Sequence, residues 1–294
     1  MEATDIIKKV RKIEIKTRKL TNQVFAGEYH SAFKGKGMVF SEVREYQYGD
    51  DVRDIDWHIT ARFNKPYVKV YEEEREITTL LAIDVSPSGN FGTNKQFKRE
   101  LITEVAAVLS FSAIQNNDKV GVIFFSDTIE KFIPPKKGKK HILRIIRELL
   151  DYKPTGKGTN ITNALKFITD TIKKRSIVFM LSDFMDFNDF EKAVKIVNNK
   201  HDFVALKIND KREEKLPNIG LVQFYDPELD KLVWVDTSLK EVRQHYEDFF
   251  VQQEKRVTNV FSRSKIDWTK LYTGEDYVVP LMNLFKKRSK MLSR

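Results

Sequence analysis

The sequence contains no cysteine among its 294 residues, and it has only five histidines. Without cysteine the chain cannot form disulfide bonds, thiolate zinc sites or cysteine nucleophiles, which suits a reducing compartment. The histidines are scattered without metal-ligand spacing, so oxygen atoms are the favoured ligands for any metal ion. The composition therefore narrows the possible metal chemistry to hard cations.

Long apolar runs are missing as well. The longest apolar stretches, such as residues 177–181, have the length of a strand, whereas a membrane-spanning helix needs about 18 or more apolar residues. The first residues are polar and basic, without the apolar centre of a signal peptide. We therefore expect no membrane span and a cytoplasmic location, with a peripheral position at a membrane left open.

Two enzyme motifs are also missing. The chain has neither the Gly-x-x-x-x-Gly-Lys-Ser/Thr loop that binds nucleotide phosphates nor the Gly-x-Ser-x-Gly turn of α/β-hydrolases. Phosphohydrolases of the haloacid dehalogenase type use Asp-x-Asp, but here Ser86 replaces the second aspartate after Asp84. We therefore predict that the protein is not an enzyme, and a metal-dependent hydrolase is the least favoured alternative.

Hydrophobic residues make up 41% of the chain, enough for a substantial core. Four apolar runs typical of buried strands alternate with helical patterns, which predicts an α/β fold with a mostly parallel sheet and helices on both faces. The strands are expected at 78–83, 119–125, 176–181 and 201–208, and the helices at 95–115, 141–150, 161–172 and 187–198. An antiparallel hairpin is expected at one sheet edge, from 221–225 and 232–235, followed by helices at 239–261 and 277–291.

The pattern divides the chain into three parts. We expect an N-terminal segment at residues 1–75, the α/β domain at 76–237, and a C-terminal helical extension at 238–294.

Positive charge is concentrated towards both ends of the sequence. The net charge is +10, and one basic run covers residues 8–19. The second basic run follows Leu284 and consists of Lys286, Lys287, Arg288, Lys290 and Arg294. Such runs are usually solvated faces, but they also suit nucleic acid, an anionic membrane surface or an acidic partner. A nucleic-acid-binding protein is therefore the main alternative function.

Three polar signals fall where ligands bind to a parallel sheet, beyond the carboxyl ends of its strands. Asp84, Ser86 and Ser88 follow the first predicted strand, Thr159 precedes a helix, and Asp183 follows the third strand. Each signal alone could be a turn or a helix cap. Together they offer two carboxylates and three hydroxyls, a donor set that suits Mg²⁺, with Mn²⁺ or Ca²⁺ as alternatives.

These five residues resemble the metal-ion-dependent adhesion site (MIDAS) of von Willebrand factor type A domains. That motif reads Asp-x-Ser-x-Ser, then a threonine, then an aspartate, and no position is missing here. The resemblance implies a Rossmann-like fold and a protein-binding module rather than an enzyme. It also implies that the partner protein offers an Asp or Glu carboxylate to the metal.

A second segment, from Arg44 to Trp57 and on to Ala61 and Arg62, resembles the signature of the bacterial "domain of unknown function 58" (DUF58) family. In that family the segment precedes a von Willebrand A-like domain, as it does here. The resemblance to this family implies that the protein has a MoxR-type AAA+ ATPase as a partner and acts as its adaptor. Many relatives carry N-terminal membrane helices that this chain lacks, so a membrane-bound role does not carry over.

The segment also has a physical interpretation of its own. Its arginines alternate with acidic residues, and dense opposite charges favour ion pairs that attach the segment to the α/β body. Tyr46 and Trp57 are expected to be structural anchors rather than residues that stack against a ligand. A recognition surface for a partner is the alternative.

Overall fold

The computed structural model describes residues 11, 13–14, 29, 31–33, 38–73, 77–93, 96–226 and 231–292. Nearly all of the basic run at 8–19, and Arg294, lie outside the described residues. The chain forms two compact units, a small one at residues 34–77 and a large one from residues 1–33 and 78–294.

The small unit is a two-stranded antiparallel sheet with a 3₁₀ turn (Val52–Asp54) and a short α-helix between its strands. Its elements are β1 (Met38–Glu45), α1 (Trp57–Phe63) and β2 (Tyr67–Glu73). The Asp56 carboxylate accepts hydrogen bonds from the first free backbone N–H groups of α1, and this fixes where the helix begins. The helix ends at Asn64, which adopts the left-handed conformation with φ 55°.

The large unit alternates strands and helices. Its elements in chain order are β3 (Thr78–Asp84), β4 (Gly92–Thr93), β5 (Gln96–Phe97), α2 (Lys98–Gln115), β6 (Lys119–Phe125), β7 (Ile129–Lys136), α3 (Lys139–Asp151), α4 (Ile161–Thr171), β8 (Ile177–Ser182), α5 (Glu191–Lys200), β9 (Asp202–Asn209), β10 (Leu221–Asp226), β11 (Lys231–Asp236), α6 (Lys240–Arg263), β12 (Asp267–Tyr272) and α7 (Val278–Leu292). The central sheet has the order β12-β9-β8-β3-β6-β7. Only β7 runs antiparallel to its neighbour in that sheet.

Both faces of this sheet are covered. Alternate residues of its inner strands pack against α4, α5 and α6, where Ile168, Val194 and Phe261 are buried. On the other face α2 lies against β3, β6 and β9, and most of its side chains are buried, as expected of a helix that is apolar nearly all round. The predicted mostly parallel sheet with helices on both faces is confirmed.

Among the described residues, none of the helices combines the length and the apolar character that crossing a bilayer requires.

The hairpin and the C-terminal region differ from the prediction. β10 and β11 form a two-stranded sheet of their own, so placing this hairpin at the edge of the central sheet was wrong. The edges are instead β7 and β12, neither of which was predicted. Because β12 lies between α6 and α7, residues 238–294 contribute a strand to the central sheet as well as helices.

Candidate metal centre

The sheet topology brings two of the three polar signals to one point. From β3 the chain moves to β6 on one side and later returns to β8 on the other, so the strand order reverses at β3. Such a reversal opens a crevice at the carboxyl ends of the strands. Asp84 is the last residue of β3, and Ser182 and Asp183 stand at the end of β8, beside it.

Asp84 is buried and firmly oriented. Its Oδ1 accepts a hydrogen bond from the Ser86 backbone N–H at 2.9 Å, and its Oδ2 accepts one from the Ser182 hydroxyl at 2.6 Å. Burial, and then the nearby Asp183 carboxylate, raise the pKa of Asp84 above its ordinary value. The crevice therefore holds two acidic groups that a cation would stabilise.

Ser86 and Ser88 present their hydroxyls side by side. They lie at the start of the turn Pro87–Asn90, and their Oγ atoms are hydrogen-bonded to each other at 3.0 Å. Two ligands at right angles around a Mg²⁺ ion, each at about 2.1 Å, are also separated by about 3.0 Å. The two hydroxyls are therefore close enough to share one cation.

Asp183 is held by backbone and by lysine. Its Oδ1 accepts a hydrogen bond from the Met185 N–H at 3.1 Å, and its Oδ2 lies 3.0 Å from the Lys98 Nζ. Burial alone raises the pKa of Asp183, but the ammonium groups of Lys98 and Lys207 more than offset this and lower it. The next residue, Phe184, adopts φ 56°, a strained conformation for a buried aromatic residue beside the crevice.

Thr159 lies half-buried on the loop between α3 and α4. The next residue, Asn160, donates its N–H to the carbonyl of Ser126, just after β6, at 2.8 Å. Ile161 donates its N–H to the Asp186 carboxylate at 2.8 Å. These bonds attach the Thr159 loop to the ends of β6 and β8, the two strands that flank β3.

A network of hydrogen bonds around Glu130 holds the part of the same loop that precedes Thr159 in the sequence. Its carboxylate accepts from the Ser126 hydroxyl, the Gly156 N–H, both donors of Thr155 and the Tyr152 hydroxyl, at 2.7–3.3 Å. A Cβ at Gly156 would lie 2.1 Å from the Ser126 Oγ, so only glycine fits there. Sequence reasoning found the glycine-rich loop but missed Glu130.

Two buried lysines behind the crevice were also missed. The Lys98 Nζ lies 3.0 Å from the Asp183 carboxylate and 2.5 Å from the Glu213 carboxylate. The Lys207 Nζ donates to the Asp183 carbonyl oxygen at 2.5 Å and pairs with Glu254 at 2.9 Å. Both lysines are almost fully buried, which is rare for this residue type unless it is paired. A single sequence gives no signal for such pairing.

The donor chemistry fits a divalent, oxygen-preferring cation. Asp84 and Asp183 supply carboxylates, while Ser86 and Ser88 supply hydroxyls of suitable spacing. Thr159 lies on a loop fastened beside them. Within the described residues, no group of three or more His, Cys, Asp or Glu side chains could hold a metal ion, so an ion in this crevice would depend on two carboxylates and neutral hydroxyls.

Among the described residues, the signature segment forms ion pairs with residues of the small unit. Arg44 binds Asp50 through two hydrogen bonds at 2.7 and 2.8 Å, and Arg53 pairs with Asp51 at 2.8 Å. The expectation that Trp57 is a structural anchor is wrong, since its side chain is 66% exposed at the start of α1.

Comparison with known proteins gives relatives in sequence and in fold. The uncharacterized protein Rv1480 of Mycobacterium tuberculosis is 27% identical over 221 residues, 74% of this chain and 70% of that protein. Among solved structures, BatB of Bacteroides thetaiotaomicron has a TM-score of 0.49 at 13% identity, covering 73% of this chain and 99% of that one. The SpRpn10 VWA domain has a TM-score of 0.40 at 10% identity, covering 72% and 95%.

The family model described as "Protein of unknown function DUF58" matches residues 42–256, well over half of the sequence. This match includes the signature segment and all five residues of the candidate site. The predicted resemblance is confirmed, and the chain belongs to the DUF58 family.

Proposed function

We propose that the protein is a non-enzymatic, metal-dependent protein-binding module that takes an acidic side chain of its partner. The observation that carries the proposal is that the buried Asp84, the two serine hydroxyls that follow it and the buried Asp183 come together at the carboxyl ends of β3 and β8. A bound Mg²⁺, Mn²⁺ or Ca²⁺ ion supplies positive charge and an open coordination position for a carboxylate. Asp84, Ser86, Ser88, Thr159 and Asp183 are the proposed residues around it.

Two hydrogen bonds fix the orientation of the Asp84 carboxylate. One oxygen accepts from the Ser86 backbone N–H and the other from the Ser182 hydroxyl. Each oxygen keeps a second lone pair that an ion can use. A fixed, buried carboxylate of this kind is suited to binding a cation.

The loops around the crevice also carry exposed aromatic side chains. Phe91 follows the Ser86–Ser88 turn, Phe97 precedes α2, and Phe187 follows Asp183 by four residues, and all three are exposed. Aromatic residues are enriched in the centres of protein interfaces. These side chains favour a protein partner that presents an acidic residue flanked by apolar ones.

The family resemblance extends this proposal to a MoxR-type AAA+ ATPase as the partner, with the protein as its adaptor. The nucleic-acid alternative is weakened by Arg288, a member of the second basic run. Its guanidinium is buried and bound to Asp202 and Asp267 at 2.5 and 2.6 Å, so it is not available to phosphate.

The test is a selection of displayed random peptides on the immobilised protein in Mg²⁺. Selected peptides should share an Asp or Glu, and their affinity should fall when EDTA is added or when that residue becomes Asn or Gln. Thr159→Ala should weaken peptide binding more than Thr162→Ala, a matched change on α4 just past the loop. Equal affinity in Mg²⁺ and in EDTA for wild type and Thr159→Ala would mean that partners dock elsewhere. Steep salt dependence with DNA or RNA, insensitive to EDTA, would favour the nucleic-acid alternative.

A further inference from the structure

The candidate site contains a cation of its own, the ammonium group of Lys98. Lys98 is the first residue of α2, and its backbone N–H donates to the Phe91 carbonyl at 3.0 Å. Only 2% of the side chain is exposed. The helix and the loop therefore fix the base of this side chain, and its ammonium group is confined to the floor of the crevice.

The ammonium group bridges two carboxylates that belong to different elements. It lies 3.0 Å from the Asp183 Oδ2, after β8, and 2.5 Å from the Glu213 Oε1. Two carboxylates within ion-pair distance stabilise the charged form of this buried ammonium group. A positive charge thus touches one of the two site carboxylates.

Glu213 is positioned to keep this contact. It ends the short helical turn Lys211–Glu213, and its Oε2 accepts a hydrogen bond from the Asp210 N–H at 3.3 Å, which leaves Oε1 for Lys98. The Tyr246 hydroxyl donates to the Glu213 carbonyl at 2.9 Å and holds the same turn from α6. Lys98 therefore retains a carboxylate partner even when its contact with Asp183 is lost.

We propose that Lys98 is a built-in counter-cation that competes with the divalent ion for Asp183 and thereby sets the metal affinity of the site. When no ion is bound, Lys98 neutralises Asp183 and keeps the rim folded. When an ion is bound, Lys98 is released from Asp183 and remains paired with Glu213. This inference rests on the proposed metal-dependent function.

The arrangement has two consequences. Metal binding must overcome both an existing ion pair and the repulsion between an ammonium group and a divalent ion, so the wild-type affinity is moderate. When no metal is bound, the Lys98 ammonium group balances the charge of Asp183 instead. The fold therefore does not depend on the metal. Removing the lysine charge should reverse both properties.

The experiment is calorimetric titration of Mg²⁺ alone into wild type, Lys98→Gln, Glu213→Gln and Lys211→Gln. Lys98→Gln should bind Mg²⁺ about tenfold or more tightly, because the competing charge is gone. Glu213→Gln should bind it more weakly, because Lys98 then has only Asp183 as a partner. Lys211→Gln removes a charge from the same turn, but that lysine is exposed and pairs with Glu275, so its affinity should match wild type.

A melting measurement separates this role from a purely structural one. The melting temperature of wild type should be nearly the same in Mg²⁺ and in EDTA, whereas Lys98→Gln should be destabilised in EDTA and rescued by Mg²⁺. Equal Mg²⁺ affinity in wild type and Lys98→Gln would overturn the role of Lys98 alone. If Lys98→Gln does not fold even in Mg²⁺, the role is overturned by an unchanged affinity in Glu213→Gln. Wild type that binds no divalent ion would instead overturn the proposed function.

Discussion

Ion pairs in the small unit and ion pairs beneath the candidate site both join a basic side chain to a carboxylate, but in opposite environments. The side chains of Arg53 and Asp51 are 89% and 46% exposed, whereas those of Lys98 and Asp183 are 2% and 7% exposed. Exposed pairs are screened by water and salt and contribute little to stability. A buried pair cannot lose one member without leaving an uncompensated charge.

The comparison shows where charge has structural consequences in this protein. The signature segment attracts notice in the sequence because its charges are dense, yet most of them face water. The buried network draws its members from α2, the loop after β8, β9 and α6, so each pair joins separate elements. Charge density in the sequence is therefore a poor guide to which ion pairs stabilise the fold. The burial of a pair decides how much it contributes.

The largest expected effect comes from breaking the buried pair of Lys207 and Glu254 behind the crevice. Lys207→Met would leave Glu254 with Lys270 alone and remove the donor to the Asp183 carbonyl. We expect a loss of about 3–5 kcal/mol in the free energy of unfolding, measured by urea denaturation. The control is Lys195→Met, which breaks an exposed pair on α5 and should have a far smaller effect. Equal losses in both variants would contradict the comparison.

An intermediate loss of stability is expected from the Glu130 hydrogen-bond network as pH falls. Burial alone raises the pKa of Glu130, but hydrogen bonds from Gly156, Ser126, Thr155 and Tyr152 outweigh it and lower the pKa to about 2. A lowered folded-state pKa means stability that is present above the unfolded value of about 4.3 and is lost as pH falls towards 2.

The measurement is the free energy of unfolding of wild type and Glu130→Gln between pH 7 and pH 3. Wild type should be the more stable protein at pH 7, and the difference should shrink below about pH 4.3. If the difference in the free energy of unfolding stays constant with pH, the hydrogen-bond network does not depend on the charge of Glu130.

The smallest effect is expected from Arg53→Ala, which removes an exposed pair of the small unit. The melting temperature should not change measurably, because water and salt replace the interaction. A clear fall in the melting temperature would show that the signature pairs stabilise the fold, as the sequence interpretation held.

The inner strands of the fold were predictable, and its edges were not. β3, β6, β8 and β9 are buried apolar runs, and such runs stand out in a single sequence. β7 contains two prolines, and β12 is mixed in polarity and half-buried. Edge strands tolerate both features, so periodicity does not reveal them.

The hairpin was misplaced for a related reason. Alternating residues in β10 and β11 predicted the pairing of the two strands correctly, and Leu221 pairs with Asp236 as an antiparallel ribbon requires. A sequence pattern gives the partner of a strand in a hairpin, but it does not say which larger sheet the hairpin joins.

For the candidate site, the sequence carries a signal only for the proposed ligands. Asp84, Ser86 and Ser88 form a spaced motif, and Asp183 follows a strand end, so the sequence carries their signal. Lys98 carries none, because its partners Asp183 and Glu213 are 85 and 115 positions away and only the fold brings them together.

The measurement that tests the central claim most directly is calorimetric titration of Mg²⁺ or Mn²⁺ into wild type and Asp84→Ala. Wild type should bind one ion, because the two carboxylates and paired hydroxyls provide one set of oxygen donors. Asp84→Ala should lose this binding while keeping the circular dichroism spectrum of the folded protein. Undiminished metal binding in Asp84→Ala would contradict the claim that this crevice is the metal site.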